Sequence, residues 1–278
     1  MMRVATYNIH GARVPGKASA TQQDRAWHLL ATYGVDLAFV QEAEWKRIPS
    51  WAREHWTILT GGDVPDLPGT AGWGSVLAAR KELDLTVNAE CHKASKFLEP
   101  LSDYVLVGSV TVLGELFNVV SVHAPARRLT DHLKVMKREG AISDEEAQSI
   151  AQPGEAAWAI DLAFHAIAEL TDGTRFIIAG DWNNSRLCDL HPTYRKRGRL
   201  PASTLFFTRA MDRGWHDCHG HKNDERSFLV EGTLPLQLDH MFCDRKTGER
   251  LIDCSVLSID VLSEISDHAP LIADFDIT

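Results

Sequence analysis

The chain has 278 residues, of which 44% are hydrophobic and 24% charged, and its net charge at pH 7 is -9. This composition excludes an intrinsically disordered chain. The acidic balance argues against a broad basic surface for sequence-independent nucleic-acid binding, because that affinity comes largely from Lys and Arg replacing counterions on phosphates. No run approaches the roughly 18 consecutive apolar residues that a membrane-spanning helix needs, and we expect one domain over residues 1–278.

The cysteines indicate a reducing compartment. Five are present, an odd number, and they are scattered without any C-x-x-C spacing. Such a pattern does not predict a disulfide framework. We therefore expect reduced thiols and a cytoplasmic protein.

The N-terminal part predicts two strands separated by a helix. Residues 4–9 form an apolar run, and apolar side chains recur at helical spacing over residues 20–33. Residues 35–40 are almost continuously apolar and predict a buried strand. Because Gln41 and Glu42 follow directly, this strand would deliver a carboxylate at its tip.

The middle of the chain predicts strands at short spacing. They cover residues 75–80, 83–90, 104–113 and 116–123, and the short turns between them indicate antiparallel hairpins. A helix is predicted over residues 155–170, where one face is apolar and the other polar.

The C-terminal part predicts a strand over residues 175–180, a helix over 203–213, and closing strands over 236–243, 255–261 and 270–277. Strand-rich halves separated by helices are typical of an α/β fold. We therefore expect two packed, mainly antiparallel β-sheets flanked by helices.

Polar clusters close several of the apolar strands. They are Tyr7-Asn8, Gln41-Glu42, Gly180-Asp181-Trp182-Asn183 and Ser266-Asp267-His268. Strand ends of packed sheets can meet at one rim, and a charged group that ends a buried strand needs a partner or a cation. These clusters together predict a metal-dependent phosphoester hydrolase.

The oxygen-rich side chains predict a hard divalent cation, Mg²⁺ or Mn²⁺. We expect Glu42 to be the first ligand, Asn8 to add a neutral oxygen or a donor nearby, and Asp267 to complete the carboxylate set. Such an ion relieves the repulsion between a phosphodiester and hydroxide, and it polarises the P–O bond.

Five further positions carry the predicted catalysis. Asp181 would deprotonate the attacking water, and Asn183 would donate to a phosphoryl oxygen or hold the water in line. His268 would stabilise the transition state as a cation, with Asp239 fixing its tautomer. His123, which ends an apolar strand, would protonate the leaving oxygen or contact the phosphate.

Basic and aromatic side chains follow two of these strand ends. The candidates for substrate binding are Arg127, Arg186, Tyr194, Arg195 and Arg197. The arginines could bind further phosphates, and Tyr194 could stack on a base. The alternative interpretation is a solvated basic loop.

The segment HDCHGH at residues 216–221 resembles a zinc-binding sequence. It lacks a second ligand pair at zinc-like spacing. We therefore favour a polar loop near the site.

The ordered motifs resemble the endonuclease/exonuclease/phosphatase superfamily. The matching segments include Tyr7-Asn8-Ile9, Gln41-Glu42, His123-Ala124-Pro125, Leu238-Asp239-His240 and Ser266-Asp267-His268-Ala269-Pro270. The resemblance extends over nearly the whole chain and implies a four-layer α/β sandwich, divalent-metal dependence and hydrolysis of a phosphate ester. At the end of the third strand the family has either histidine or tyrosine, and His123 resembles the deoxyribonuclease type. Two places after Asn8 this chain has His10, whereas the abasic-site enzymes have an aspartate.

Three functional hypotheses remain from the sequence. The first is a nuclease or phosphodiesterase acting on DNA or RNA, which the complete set of predicted catalytic and metal-binding residues and the basic loop favour. The second is a phosphatase or phosphodiesterase for a small molecule or lipid headgroup, which the acidic net charge favours. The third is an inactive relative that binds a partner, although no expected catalytic position is lost. No protein partner can be inferred.

Overall fold

The computed structural model describes most of the chain. The described residues are 1–9, 20–64, 72–88, 104–124, 129–138, 140, 142–145, 164, 167–168, 170–190, 202–220, 225–230, 234–260 and 262–277. Four of the predicted substrate-binding residues, Arg127, Tyr194, Arg195 and Arg197, lie outside them, as does most of the helix predicted over residues 155–170.

The described residues contain twelve strands. In chain order they are β1 (Met2–Asn8), β2 (Leu37–Glu44), β3 (Trp56–Thr60), β4 (Trp73–Arg80), β5 (Leu85–Val87), β6 (Val105–Val112), β7 (Glu115–His123), β8 (Phe176–Asp181), β9 (His216–Asp217), β10 (Asp239–Cys243), β11 (Leu251–Val256) and β12 (Leu271–Phe275).

The strands form two mixed sheets of six. Sheet A has the order β11-β12-β1-β2-β4-β3, and sheet B has the order β5-β6-β7-β8-β10-β9. In sheet A only β1 and β2 run parallel, and in sheet B only β7 and β8 do. The mainly antiparallel sheets predicted from the sequence are therefore confirmed, and each has a parallel pair at its centre.

Helices lie between the strands along the chain. Among the described residues, the α-helices with both ends described are α1 (Ala20–Thr32), α2 (Ser50–His55), α3 (Leu129–Arg138), α4 (Ala202–Asp212) and α5 (Arg245–Gly248), and short 3₁₀ helices cover Trp45–Arg47, Gly61–Asp63, Arg186–Leu190 and Leu262–Glu264. Within this part of the chain, no helix is both long and apolar enough to cross a membrane.

Three apolar layers hold the sheets and helices together. The inner layer lies between the sheets and includes Phe39 of sheet A and Phe117 of sheet B. One outer layer packs Trp27 of α1 on sheet A. The other packs helical residues such as Phe164 and Phe206 on sheet B. Because side chains alternate along each strand, each sheet presents apolar side chains on both faces. One face packs on the other sheet and the opposite face packs on helices, so the fold is the predicted four-layer α/β sandwich.

Several predicted strand boundaries are wrong, including those of β5 and β10, and two strands differ most. The strand predicted over residues 35–40 continues to Glu44. Its pairing with β4 shifts register between Val40 and Ala43 and then resumes, so the strand does not end at Glu42. The strand predicted over residues 255–261 is β11, which covers Leu251–Val256. It is an edge strand paired only with β12, and its side chains, most of them exposed or half-exposed, give a weak alternation pattern.

Candidate active site

Strand alternation brings polar side chains to one rim of the space between the sheets. Side chains two residues apart share a face, and the inner columns change from apolar to polar toward this rim. The columns are Val4-Thr6-Asn8 in β1, Phe39-Gln41 in β2, Val119-Ser121-His123 in β7, Ile177-Ala179-Asp181 in β8 and Cys243-Met241-Asp239 in β10. The sheets thus supply Asn8 from one side and His123, Asp181 and Asp239 from the other.

Glu42 reaches the same rim through a β-bulge. Alternation alone would place it with Val40 on the outer face of sheet A. The register between β2 and β4 shifts between Val40 and Ala43, and Glu42 has a φ of 55°, which is uncommon for a residue other than glycine. The side chain instead faces the rim, where Oε1 accepts a hydrogen bond from Nδ2 of Asn8 at 3.3 Å.

The carboxylate of Asp181 lies at the centre of the site and is 2% exposed. Its Oδ1 accepts the backbone N–H of Asn183 at 2.8 Å, and its Oδ2 accepts Nδ2 of Asn8 at 3.0 Å. The preceding Gly180 permits the close approach of β7, since a Cβ there would lie 1.8 Å from the carbonyl oxygen of Val122. The sequence motif around Asp181 therefore combines a buried carboxylate with a steric requirement for glycine at position 180.

His268 faces Asp181 from the segment before β12. Its Nε2 lies 3.8 Å from Oδ2 of Asp181, and its Nδ1 lies 2.8 Å from Oδ2 of Asp239. Burial favours the neutral ring, but the carboxylates of Asp239 and Asp181 outweigh it and raise the pKa of His268 to about 10. The ring is therefore a cation at neutral pH.

Two serines to which the sequence analysis assigned no role hold this pair. The hydroxyl oxygen of Ser227 accepts the backbone N–H of Asp239 at 3.2 Å. The hydroxyl of Ser266 donates to the backbone oxygen of Asn8 at 2.7 Å and accepts the backbone N–H of His268 at 3.1 Å. Ser266 belongs to the predicted cluster Ser266-Asp267-His268, which was a usable signal, whereas nothing in the sequence marks Ser227.

His123 completes the group from the end of β7. Its Nε2 lies 3.4 Å from Oε1 of Glu42 and 3.9 Å from Oδ2 of Asp181. Its ring lies 5.5 Å from that of Tyr104 and 6.5 Å from that of Trp73, measured between centroids. The sequence did not predict these two aromatic neighbours of His123, because Trp73 and Tyr104 stand beside or within strands where aromatic residues are common.

The remaining described candidates are Asp267 and Arg186. Asp267 is half-buried beside the site, and its Oδ1 lies 3.5 Å from the hydroxyl of Ser266. Arg186 forms an ion pair with Asp217 at 2.5 Å, and its guanidinium lies 3.9 Å from the ring centroid of Phe207. Asp267 thus lies between Ser266 and His268 at the edge of the site, and Arg186 has an anionic and an aromatic partner.

The histidine-rich segment forms contacts of its own. Nε2 of His219 lies 3.0 Å from Oε2 of Glu225, and its backbone N–H donates to Oδ1 of Asp217 at 3.1 Å. Among the described residues, a single group of three potential metal ligands has its donor atoms within 4.8 Å of one another, and it consists of Asp181, Asp239 and His268. His221 lies outside the described residues.

This group of Asp181, Asp239 and His268 differs from the predicted metal ligands Glu42, Asn8 and Asp267. The contacts of His268 show whether its ring is free to bind a metal. Nδ1 of His268 is engaged with Asp239 at 2.8 Å, and Mg²⁺ prefers oxygen ligands. The donor set at the rim is rich in such oxygens. Oδ1 of Asp239 is buried without a hydrogen-bond partner in the described structure, although buried carboxylate oxygens are normally satisfied. The residues therefore fit a hard divalent cation, with His268 as a hydrogen-bonding group.

The fold and the site define a hydrolase of phosphate esters, with carboxylates, amides and a cationic histidine at one rim of a β-sandwich. The chain belongs to the Endonuclease/Exonuclease/phosphatase family, whose model matches residues 5–268. Members of this family are hydrolytic enzymes that act on phosphate esters. A search of curated proteins finds none that matches.

Solved structures share the fold at low sequence identity. An AP endonuclease from Archaeoglobus fulgidus is 17% identical with a TM-score of 0.63, and all of both chains is covered. A 3'-5' exonuclease from Neisseria meningitidis is 16% identical with a TM-score of 0.63, covering 99% of this chain and 100% of that one. A humanized D. rerio TDP2 is 15% identical with a TM-score of 0.60, covering 99% of this chain and 98% of the other.

Proposed function

We propose that the protein is a Mg²⁺- or Mn²⁺-dependent phosphodiesterase that cleaves nucleic acid by direct attack of water. The observation that carries this proposal is the environment of Asp181. A buried carboxylate lies between two amides, Asn8 and Asn183, and faces the cationic ring of His268 at 3.8 Å. A base beside a cation suits a reaction in which a nucleophile forms while negative charge grows on phosphorus-bound oxygens.

The proposed reaction uses five side chains of this chain. Asp181 accepts a proton from water as the water oxygen bonds to phosphorus, and Asn183 holds the water in line. The bond from phosphorus to the leaving oxygen breaks, and His123 donates a proton to that oxygen. His268, held by Asp239, binds the oxygens that gain charge in the transition state. The products are a phosphate monoester and an alcohol.

The proposed cation ligands are Glu42, Asn8 and Asp267, which offer the oxygen donors that hard cations prefer. When bound, the ion neutralises phosphate charge and lowers the pKa of bound water. Without it, the carboxylates at the rim would repel an anionic substrate. The acidic surroundings of the site thus favour metal dependence.

The test is cleavage of single-stranded, duplex and abasic DNA and of RNA by the purified protein in Mg²⁺ or Mn²⁺, with excess chelator as the control. We expect cleavage of at least one polymer, complete loss with chelator, and recovery on adding metal. Absence of cleavage of every polymer would refute the nuclease assignment. Activity that resists chelation would refute metal dependence.

The net charge of -9 favours a second candidate, a phosphatase or phosphodiesterase for a small molecule or lipid headgroup. An acidic protein repels a polyanion more strongly than a small ester. Phosphate release from nucleotides, sugar phosphates and inositol phosphates distinguishes the two. Turnover of these compounds without polymer cleavage would support the second candidate.

We also propose a cytoplasmic location and a single catalytic domain over residues 1–278. The location is supported by free cysteines, among them Cys218 and Cys243, whose buried sulfurs lie 3.6 Å apart without a disulfide. Burial raises the pKa of the Cys218 thiol, which slows its oxidation. Cell fractionation tests the location, and recovery of the activity in a secreted fraction would contradict it.

A further inference from the structure

A buried layer of polar side chains lies between the apolar core and the charged rim of the site. Its members are Thr6 of β1, Gln41 of β2 and Ser121 of β7, all fully buried. The hydroxyl of Thr6 donates to Oε1 of Gln41 at 3.2 Å, and Nε2 of Gln41 donates to the hydroxyl oxygen of Ser121 at 3.2 Å. One glutamine amide therefore connects three central strands.

The bond between Gln41 and Ser121 joins the two sheets. Gln41 belongs to sheet A and Ser121 to sheet B, whereas the bond between Thr6 and Gln41 stays within sheet A. Two other hydrogen bonds link the sheets at this end, from Nδ2 of Asn8 to Oδ2 of Asp181 at 3.0 Å and from the hydroxyl of Ser75 to the backbone oxygen of Tyr104 at 2.8 Å. The deeper contacts between the sheets are apolar, and they set no fixed offset because van der Waals contacts are non-directional. A hydrogen bond, in contrast, constrains both distance and angle.

The two bonded residues lie next to the groups whose separation the chemistry requires. Gln41 directly precedes Glu42, and Ser121 stands two positions before His123 on the same face of β7. Oε1 of Glu42 and Nε2 of His123 are 3.4 Å apart across the sheets. A shift of one sheet along the other would change this distance directly.

Stability alone does not explain the layer. A buried amide is costly unless its hydrogen bonds are made, and replacing both partners of such a bond by apolar groups is often neutral. The inner columns contain apolar residues at the equivalent depth in sheet B, namely Ala179 and Met241. A polar bond retained there is better explained by the geometry it imposes on the rim.

We propose that Gln41 is a positioning residue that sets Glu42 against His123 through its bond to Ser121. This inference rests on the proposed function, in which Glu42 binds the divalent cation and His123 protonates the leaving oxygen. Loss of the bond then weakens cation binding and slows the chemical step, while substrate affinity changes little. Substitution of a residue that orients a metal ligand typically lowers metal affinity by about 10- to 100-fold.

The experiment compares two single-hydroxyl deletions, Ser121→Ala and Thr6→Val, in the full chain. Each removes one hydrogen bond from Gln41, so urea denaturation should give similar losses of stability. Titration of Mn²⁺, followed by the EPR signal of the free ion, gives the Kd without turnover. We expect Ser121→Ala to raise this Kd about tenfold and to lower kcat with little change in KM, and Thr6→Val to leave both within twofold.

A triple variant separates positioning from folding. Gln41→Leu combined with Ser121→Ala and Thr6→Val replaces all three members of the layer by apolar groups, and its stability should recover toward that of the wild type. We expect its Kd for Mn²⁺ and its kcat to stay impaired. Wild-type values in the triple variant, or equal effects of Ser121→Ala and Thr6→Val, would overturn the inference. A wild-type protein that binds no Mn²⁺ would overturn the proposed function, and this inference with it.

Discussion

Sheets A and B have the same succession of antiparallel and parallel strand pairings, but they bring their acidic side chains, Glu42 and Asp181, to the site in different ways. Each has a parallel pair at its centre, with two antiparallel pairings on either side. At the tips of these pairs Asn8 lies opposite Gln41 in sheet A, and His123 lies opposite Asp181 in sheet B. The two sheets thus repeat one architecture while their tips carry different chemistry.

The difference lies in the position of each acid in the strand. Asp181 follows Ile177 and Ala179 on the inner face, so regular alternation directs it to the site. Glu42 follows Val40 on the outer face and reaches the site only through a bulge with positive φ. Strand register alone therefore positions the proposed base, whereas the proposed metal ligand also requires a distorted backbone.

The largest expected effect concerns the acid that register positions. Asp181→Asn should lower kcat by roughly 10²- to 10⁴-fold, because a general base contributes about that much. The folded state should be as stable as the wild type or more so, since one of several clustered carboxylates is removed. Single-turnover cleavage and urea denaturation measure the two quantities. Activity within tenfold of the wild type would refute Asp181 as the base.

A second prediction concerns His268, which comes from the segment before β12 of sheet A and bonds to Asp239 of sheet B. Its pKa is about 10 in the fold, against an ordinary 6.5. The raised pKa contributes stability that is fully present below pH 6.5 and is lost as pH rises through 10. In metal-free protein, the free energy of unfolding should fall over this range by at most about 1.4 kcal/mol per pH unit from this group.

The matched control for the pH dependence is His268→Gln, which keeps a polar side chain without the titrating ring. Urea denaturation at a series of pH values with chelator present gives both profiles. The difference between wild type and variant should shrink steadily from pH 6.5 to pH 10. Parallel profiles would show that the ring does not carry its proton in the folded state.

The smallest expected effect tests the bulge itself. At position 42, glycine should be more stable than alanine by about 1 kcal/mol, because alanine bears the cost of positive φ. At position 181, alanine should be more stable than glycine by about 0.5–1 kcal/mol, because an extended strand disfavours glycine. Urea denaturation of the four variants gives both differences. The same preference at both positions would contradict the comparison of the sheets.

Much of the fold was predictable because it depends on local pattern. Continuous apolar runs gave β1, β2 and β8, and helical spacing gave α1 within one residue at its end. Polar residues at strand ends gave Asn8, Asp181 and His268, and the structure brings these three together.

The rest depends on tertiary contacts that no local pattern encodes. The bulge at Glu42 arises from pairing with β4, and the inter-sheet bond of Gln41 requires Ser121 of the other sheet. Ser227 supports Asp239 through backbone N–H groups that lie about a dozen residues away. Single-sequence patterns inform on burial and periodicity but not on such long-range partners.

The place of β12 in sheet A, between β11 and β1, affects when the enzyme can work during its own synthesis. A growing chain that ends before residue 268 lacks the cationic ring and leaves the edge of β1 without its neighbour. Domains fold as units while the ribosome elongates the chain. The chain on the ribosome therefore has an incomplete site until residue 268 and β12 have been made.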